Sequence, residues 1–278
     1  QALEQIKHAL LSFGIENASQ ETKWILAHCL KISPSELIQY HNHVLSVETA
    51  KETESYIGMR KQGIPLSRVL GVQEFWGLPM CLNDHTLDPR QDTELIPERV
   101  VKTLPKDFKG CSLDLGTGSG CIAIALLSEF PEMTFIGLDI SHQALSQARE
   151  NANLNGVGNR FMPVCSNWDD SLSGRFPLIV SNPPYIPSDD IENLEKNVKD
   201  FDPIPALDGG KDGLYFLKKT ISTIKNHLSP EGTAFIEIGF GQYHEMERLI
   251  EKSGLPAIDV HHDIASIPRV VEISYGNK

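Results

Sequence analysis

Cys111-Ser112-Leu113-Asp114-Leu115-Gly116-Thr117-Gly118-Ser119-Gly120-Cys121-Ile122-Ala123-Ile124-Ala125 is the stretch on which the reading of this chain turns. Cys111 to Leu115 predicts a buried strand, and the apolar run from Cys121 to Glu129 predicts a helix. The glycines between them, Gly116, Gly118 and Gly120, permit a tight turn and close approach of a ligand at the carboxyl end of a first strand. Gly118-Ser119-Gly120-Cys121-Ile122-Ala123 also fits the dinucleotide pattern, and Asp139 follows Gly120 by 19 residues at the end of a second expected strand. A carboxylate there can accept both hydroxyls of a ribose, in NAD or in S-adenosylmethionine. Asp114 tips the balance toward the second: its carboxylate suits an amino-acid ammonium and repels a pyrophosphate. The plainer reading of Asp114 is a cap on the turn. Gly120 is followed by Cys121, not by a phosphate-binding lysine, so a P-loop is excluded.

Working outward, strands are expected over Thr134 to Leu138, Phe161 to Cys165, Leu178 to Ser181, Thr233 to Ile238 and Val270 to Ser274. Helices are expected over Ser141 to Asn153, Lys211 to Leu228 and Tyr243 to Glu251. This alternation predicts an α/β fold with an open, doubly wound sheet and an antiparallel last hairpin. Upstream, Ile6, Leu10 and Leu11, then Trp24, Ile25, Leu26 and Cys29, recur near helical spacing. Ser33-Pro34-Ser35-Glu36 has the form of a capping box, and a third helix is expected after Ser46. Val69 to Asn83 suggests a hairpin turning at Gly77-Leu78-Pro79, and Asp92-Thr93-Glu94-Leu95 a capped helix start. The expected organisation is a helical domain with a hairpin linker over residues 1–82 and an α/β domain over 83–278.

Lys plus Arg number 25 against 37 for Asp plus Glu, a formal charge of −12, so the whole-molecule field repels nucleic acid unless a local basic patch intervenes. The five cysteines are scattered, with no CxxC pair, which argues against a zinc site and suits a reducing compartment. No apolar run reaches the length of a membrane span, and Glu4 and Lys7 stand where a secretory leader would be apolar. A soluble cytoplasmic protein is expected.

Leu178-Ile179-Val180-Ser181-Asn182-Pro183-Pro184-Tyr185 carries the sharpest chemical signal, a buried strand running directly into Asn-Pro-Pro-Tyr. The prolines lack N–H groups and restrict the chain, so nearby carbonyls are presented without a competing donor. Asn182 adds a side-chain carbonyl oxygen. Two such acceptors suit a planar NH2 group, and Tyr185 can pack against the plane of an amide or a base. Hydrogen bonds to both N–H groups orient a poor nitrogen nucleophile and favour the charge that develops as a methyl group arrives. Asn167-Trp168-Asp169 falls after the third strand on the same edge, where Trp168 can cover an adenine face or serve only in packing.

With these residues the chain closely resembles the protein-(glutamine-N5) methyltransferases that modify peptide chain release factors. These fall within the S-adenosylmethionine-dependent, Rossmann-like class I methyltransferases. The resemblance extends through Asp88-Pro89-Arg90-Gln91-Asp92-Thr93-Glu94-Leu95, Asp114 to Ala125, Asn182-Pro183-Pro184-Tyr185-Ile186, and Phe201-Asp202-Pro203 through Asp212-Gly213-Leu214. It implies a seven-stranded mixed sheet, a small N-terminal helical domain that helps receive the release factor, and a monomer. It also implies S-adenosylmethionine as cofactor, S-adenosylhomocysteine as product and no metal. The glutamine of a Gly-Gly-Gln tripeptide in bacterial-type release factors would be the target. Asp114, Gly116, Thr117, Gly118, Gly120, Asp139, Ile140, Asn167, Trp168 and Asn182 would surround the cofactor. Asn182, Pro183, Pro184, Tyr185 and Arg90 would meet the substrate, with Asn182 and the Pro183 carbonyl holding its amide.

Two stretches depart from the family pattern. Gln91-Asp92 stands where Pro-Glu is common, and Ser266 stands where a glycine is usual between Asp263 and Arg269. Arg90 is free to pair with Asp92 or Glu94 or to meet the partner, and Phe75 and Trp76 either line the cofactor mouth or pack in a core. His261, His262 and Asp263 are adjacent, yet neighbouring side chains on a strand diverge, which argues against a metal. An adenine-amino methyltransferase would use the same two acceptors but would need phosphate contacts. A noncatalytic module that keeps the cofactor pocket is the other alternative.

Overall fold

The apolar run that begins at Cys111 is a strand at the centre of a computed structural model that describes residues 2–40, 43–256 and 258–275. The chain forms two compact units, Gln1–Val72 with Lys196–Phe201, and Gln73–Glu195 with Asp202–Lys278. This division falls between residues 72 and 73, one residue into the hairpin's first strand, where the expected organisation divides the chain at 82, and a six-residue segment from the middle of the chain joins the first unit.

In the first unit, α1 (Ala2–Ser12), α2 (Ala18–Leu30), α3 (Val47–Lys61) and α4 (Leu66–Leu70) bury Ile6, Leu10, Ile25, Leu26, Cys29 and Val69 together. Leu11 stays exposed. Ser46 caps α3 by accepting the Thr49 N–H at 3.1 Å, and Arg60 holds both carboxylate oxygens of Glu21 at 2.7 and 2.9 Å, tying α3 to α2. The capping box half-forms, with the Ser33 N–H donating to Glu36 Oε2 at 2.8 Å. It opens only a 3-10 turn, Glu36–Tyr40, in which no residue is buried. Leu37 alone of this turn packs against the core, too little to offset the cost of extending a helix there.

The second unit opens with a hairpin of β1 (Val72–Phe75) and β2 (Leu78–Cys81). Its turn is Trp76-Gly77, with φ of +56° and +70°, not the expected Gly77-Leu78-Pro79. Both central residues left-handed is the arrangement that matches strand twist in a two-residue hairpin. Next come α5 (Leu95–Thr103), β3 (Gly110–Leu115), α6 (Cys121–Glu129), β4 (Met133–Asp139), α7 (His142–Leu154), β5 (Phe161–Cys165) and β6 (Phe176–Ser181). The short α8 (Lys196–Lys199) belongs with the first unit, and α9 (Tyr215–His227), β7 (Leu228–Glu237), α10 (Tyr243–Ser253), β8 (Ile258–His262) and β9 (Pro268–Ser274) complete the second. Helix α9 starts later than expected because Gly213 takes φ +70°, outside the helical region. No side chain caps α5, which follows a 3-10 turn over Gln91–Glu94. Glu94 instead accepts the Trp76 N–H at 2.8 Å.

The seven-stranded sheet has the order β5-β4-β3-β6-β7-β9-β8, parallel from β5 to β7, with β9 antiparallel to both its neighbours. Leu113, Leu115, Ile179, Ala234 and Ile236 pack on one face against Leu217, Ile224, Met246 and Ile250 of α9 and α10. Phe135, Leu178, Val180 and Phe235 pack on the other, against Ile96 and Val100 of α5 and Ile122, Ile124 and Leu126 of α6. Alternation along each strand produces both layers. Truncating fully buried Phe235 to alanine would cost about 3–5 kcal/mol.

The order of strands reverses at β3, and there the register sets four residues side by side. Leu115 pairs with Leu138 on one flank and Ser181 on the other, and Ser181 pairs with Ile236. The next residues along, Gly116, Asp139, Asn182 and Glu237, therefore share the carboxyl edge where doubly wound sheets bind ligands.

Candidate active site

A cavity of about 570 Å³ opens at this edge, lined by Gly116, Gly118, Asp139, Ile140, Asn167, Trp168, Asn182 and Pro184 among others. Gly116 and Gly118 take φ of +72° and +54°, which a side chain would strain. Gly120, φ +82°, adds a packing reason: a Cβ there would meet Ile124 Cδ1 at 3.0 Å and Ala148 Cβ at 3.2 Å.

Backbone donors hold Asp139. Its Oδ2 accepts the Gly118 N–H at 2.9 Å and its Oδ1 the Ser141 N–H at 2.8 Å, leaving further lone pairs for a ligand. Burial raises its proton affinity, and the same N–H bonds oppose that shift. Asp114 differs from expectation. It does not line the cavity but lies fully buried beneath the glycine turn, where Oδ2 accepts the Thr117 hydroxyl at 2.7 Å. Its Oδ1 has no hydrogen-bond partner, and burial pushes its pKa up to about 7. Thr117 and Gly120 likewise support the turn without lining the cavity.

Trp168 holds φ +59° and lies on Phe216, ring centroids 5.1 Å apart and planes 31° from parallel. Its buried Nε1 has no partner. Asn167 is exposed, with Oδ1 3.4 Å from Lys219 Nζ. Lys219 is the one Lys or Arg among the residues lining the cavity.

On the other flank Asn182 Nδ2 donates to the Thr93 hydroxyl at 3.1 Å, which turns its Oδ1 away from Thr93. Pro184 lines the cavity and Pro183 is buried behind it. The Tyr185 ring does not line the cavity: its hydroxyl donates inward to Glu237 Oε1 at 3.2 Å, and its carbonyl accepts Gln242 Nε2 at 2.9 Å. Burial, and after it the neighbouring Glu237 charge, push the Tyr185 phenol well above its ordinary pKa, so it stays protonated. Arg90 pairs with neither Asp92 nor Glu94. It holds Asp202 at 2.5 Å, so two of the quoted motifs meet. Asp92 instead lies 3.5 Å from Arg269, whose Nε donates to Asp263 at 3.0 Å. Phe75 is buried in the core and Trp76 packs beside it, its Nε1 donating to Glu129 at 2.9 Å. His261 pairs with Glu272 at 2.8 Å, and among the described residues no three His, Cys, Asp or Glu side chains gather as metal ligands.

Sequence reasoning missed Thr93, Glu237 and Asn151. The buried Asn151 side chain joins the Cys81 backbone N–H and carbonyl to the Ser119 carbonyl, at 2.8, 3.0 and 2.9 Å, bracing the glycine turn from α7.

The donor set fits one cofactor chemistry. The Asp139 carboxylate, and no lysine or arginine, faces the ligand space beside the glycine turn, which disfavours a pyrophosphate and suits a cationic sulfonium with a ribose. Fold and site together define an S-adenosylmethionine-dependent methyltransferase of the Rossmann-like class. Among solved structures a methyltransferase from Pyrococcus furiosus shares the fold at TM-score 0.54 and 18% identity, covering 72% of this chain and 90% of that one. Family models match residues 96–198 as a methyltransferase small domain and residues 1–71 as a PrmC N-terminal domain. The release factor glutamine methyltransferase of Rhodospirillum rubrum is 38% identical over 92% of this chain and 78% of its own. That of Agrobacterium fabrum is 35% identical over 94% and 92%. The chain belongs to the release factor glutamine methyltransferase family.

Proposed function

We propose that this protein methylates the side-chain amide nitrogen, N5, of the glutamine in the Gly-Gly-Gln tripeptide of peptide chain release factors, in the cytoplasm. The observation that carries this reading is the Asn182 carboxamide, anchored through Nδ2 on Thr93 at the wall of the cavity that also contains Gly116 and Asp139. S-adenosylmethionine, when bound, supplies an electrophilic methyl on a sulfonium. Gly116 and Gly118 let the backbone approach it, Asp139 accepts its ribose hydroxyls, and Trp168 borders its adenine. Asp114 sets the glycine turn through Thr117. Asn182 Oδ1 and the Pro183 carbonyl each accept one hydrogen of the substrate amide, orienting its nitrogen and favouring the positive charge that develops there. Tyr185, held by Glu237, fixes the Pro-Pro-Tyr turn. Release-factor recognition is assigned to the helical first unit and the chemistry to the second.

With a single cation lining the cavity, the expected phosphate contacts of a nucleic-acid substrate are missing from that wall. Among the described residues no helix is long and apolar enough to cross a membrane. Labelled methyl incorporation into a purified release factor tests the proposal. The label should appear on the wild-type factor and vanish when its Gly-Gly-Gln glutamine is changed; incorporation into nucleic acid alone would overturn it.

A further inference from the structure

Glu237 ends β7 with 2% of its surface exposed, one residue beyond the partner of Ser181, and does more than anchor Tyr185. Its Oε1 accepts the Tyr185 hydroxyl, and its buried Oε2 has no hydrogen-bond partner. Thr93, also 2% exposed, sets its hydroxyl beside this carboxyl. The same hydroxyl receives Asn182 Nδ2. A threonine hydroxyl has one hydrogen to give, so the acceptor it faces decides what it offers Asn182. Which end of a carboxamide is oxygen follows from such neighbours.

We infer that Thr93 and Glu237 are positioning residues: the Glu237 carboxylate takes the Thr93 hydroxyl hydrogen, so Thr93 offers Asn182 only a lone pair, and Asn182 presents Oδ1 rather than NH2 to the substrate amide. A protonated Glu237 would reverse the chain. Its own hydrogen would go to Thr93, whose hydrogen would turn to Asn182 Oδ1, and an NH2 would face the substrate NH2. The inference rests on the proposed role of Asn182.

The groups facing Glu237 are Thr93 and Asp92 from the turn before α5, Tyr185 after β6, Arg269 on β9 and Cys121 at the start of α6. Burial pushes the Glu237 pKa up to about 7, against the Thr93 and Tyr185 hydroxyls and the Arg269 charge, with Asp92 adding to the rise. Cys121, raised to about 12 by burial, stays neutral. Transfer should accelerate as pH rises through this range. Asp114 ionises there too, so the test lies in substitution and not in the wild-type profile alone.

Single-turnover methyl transfer to a purified release factor, from about pH 5.5 to 9, tests the chain of bonds with equilibrium cofactor affinity measured alongside. Thr93→Val should slow transfer about 10-fold or more with cofactor affinity unchanged, and Thr93→Ser should restore the rate to within about 3-fold. Glu237→Gln should lose the rise across neutral pH and run slower than wild type at high pH. Wild-type speed in Thr93→Val, equal damage in Thr93→Ser, or a rise retained in Glu237→Gln overturns the inference while leaving the transferase reading intact. No transfer to the glutamine by the wild-type enzyme overturns both.

Discussion

The two flanks of the carboxyl edge are built differently. On the β4 side, Asp139 is held by backbone N–H groups 2 and 21 residues away, both in the strand–turn–helix segments that the sheet itself dictates. On the β6 side, Asn182 and Tyr185 are held by side chains 89 and 52 residues away, both of them buried. A group fixed by backbone tolerates distant substitutions. A group fixed by a chain of side chains transmits them. The cofactor flank should therefore answer chiefly to its own residues, and the transfer flank to residues that touch no substrate.

The sharpest break between the flanks is expected from Asn182→Ala. Loss of its Oδ1 should slow methyl transfer by about 100-fold, the equivalent of about 2.7 kcal/mol of transition-state interaction, with cofactor affinity changed less than about 3-fold. Matched single-turnover rates in mutant and wild type would remove Asn182 from the reaction. Asp139→Ala should show the converse. It loses an acceptor for the ribose and frees the Gly118 N–H, so the cofactor dissociation constant should rise about 10-fold or more by calorimetry, at about 1.4 kcal/mol per decade, with saturated transfer little affected. An unchanged constant would contradict the assignment.

Asp114 lies beneath the cofactor flank, and its effect should appear in stability. Its folded pKa of about 7 stands above the 3.8 of an ordinary aspartate, so the folded state holds its proton longer than the unfolded state does. That contribution is complete below about pH 4 and is lost progressively as pH rises to about 7. Glu237 has the same sign. Asp114→Asn keeps an oxygen for Thr117 but cannot ionise, so its melting temperature should fall less than that of wild type between about pH 5 and 7.5, by about 3–6 °C. Parallel curves for the two proteins would show that Asp114 is not the titrating group.

The same contrast governs what could be read in advance. The strand, turn and helix around Gly116, and Asp139 beyond them, were legible because local periodicity and spacing encode them. Asn182 was legible because prolines follow a buried strand. Thr93 and Glu237 were not, since their meaning comes from the β6–β7 register and from a turn that crosses to Asn182. Arg90 was misjudged for the same reason: its partner Asp202 lies 112 residues away, and acids close in sequence looked sufficient. Tyr185 was expected at the substrate and points inward, because a phenol beside a buried carboxylate has a better use for its hydrogen there.

The smallest effect is expected at Ser266, in the loop between β8 and β9. Ser266 adopts φ +62°, a conformation that costs a residue with a Cβ roughly 1–2 kcal/mol and glycine almost nothing. It does so because Asp263 closes the loop on itself: its Oδ1 accepts the N–H groups of Ala265 and Ile267 at 2.8 and 2.9 Å, and its carbonyl accepts the Ser266 N–H at 2.9 Å. Asp263 Oδ2 then holds Arg269, whose charge acts on Tyr185 and Glu237. Glycine also frees the unfolded chain, which offsets part of the relief, so Ser266→Gly should stabilise the protein by about 0.5–1 kcal/mol, read as a rise of about 1–3 °C in melting temperature. Its transfer rate should match wild type, because the substitution relaxes the loop without moving the hydrogen bonds that aim Arg269. A slower enzyme would mean that the strained turn itself sets the Arg269 position, and the chain of side chains that holds Asn182 would then reach beyond Asp263 to Ser266.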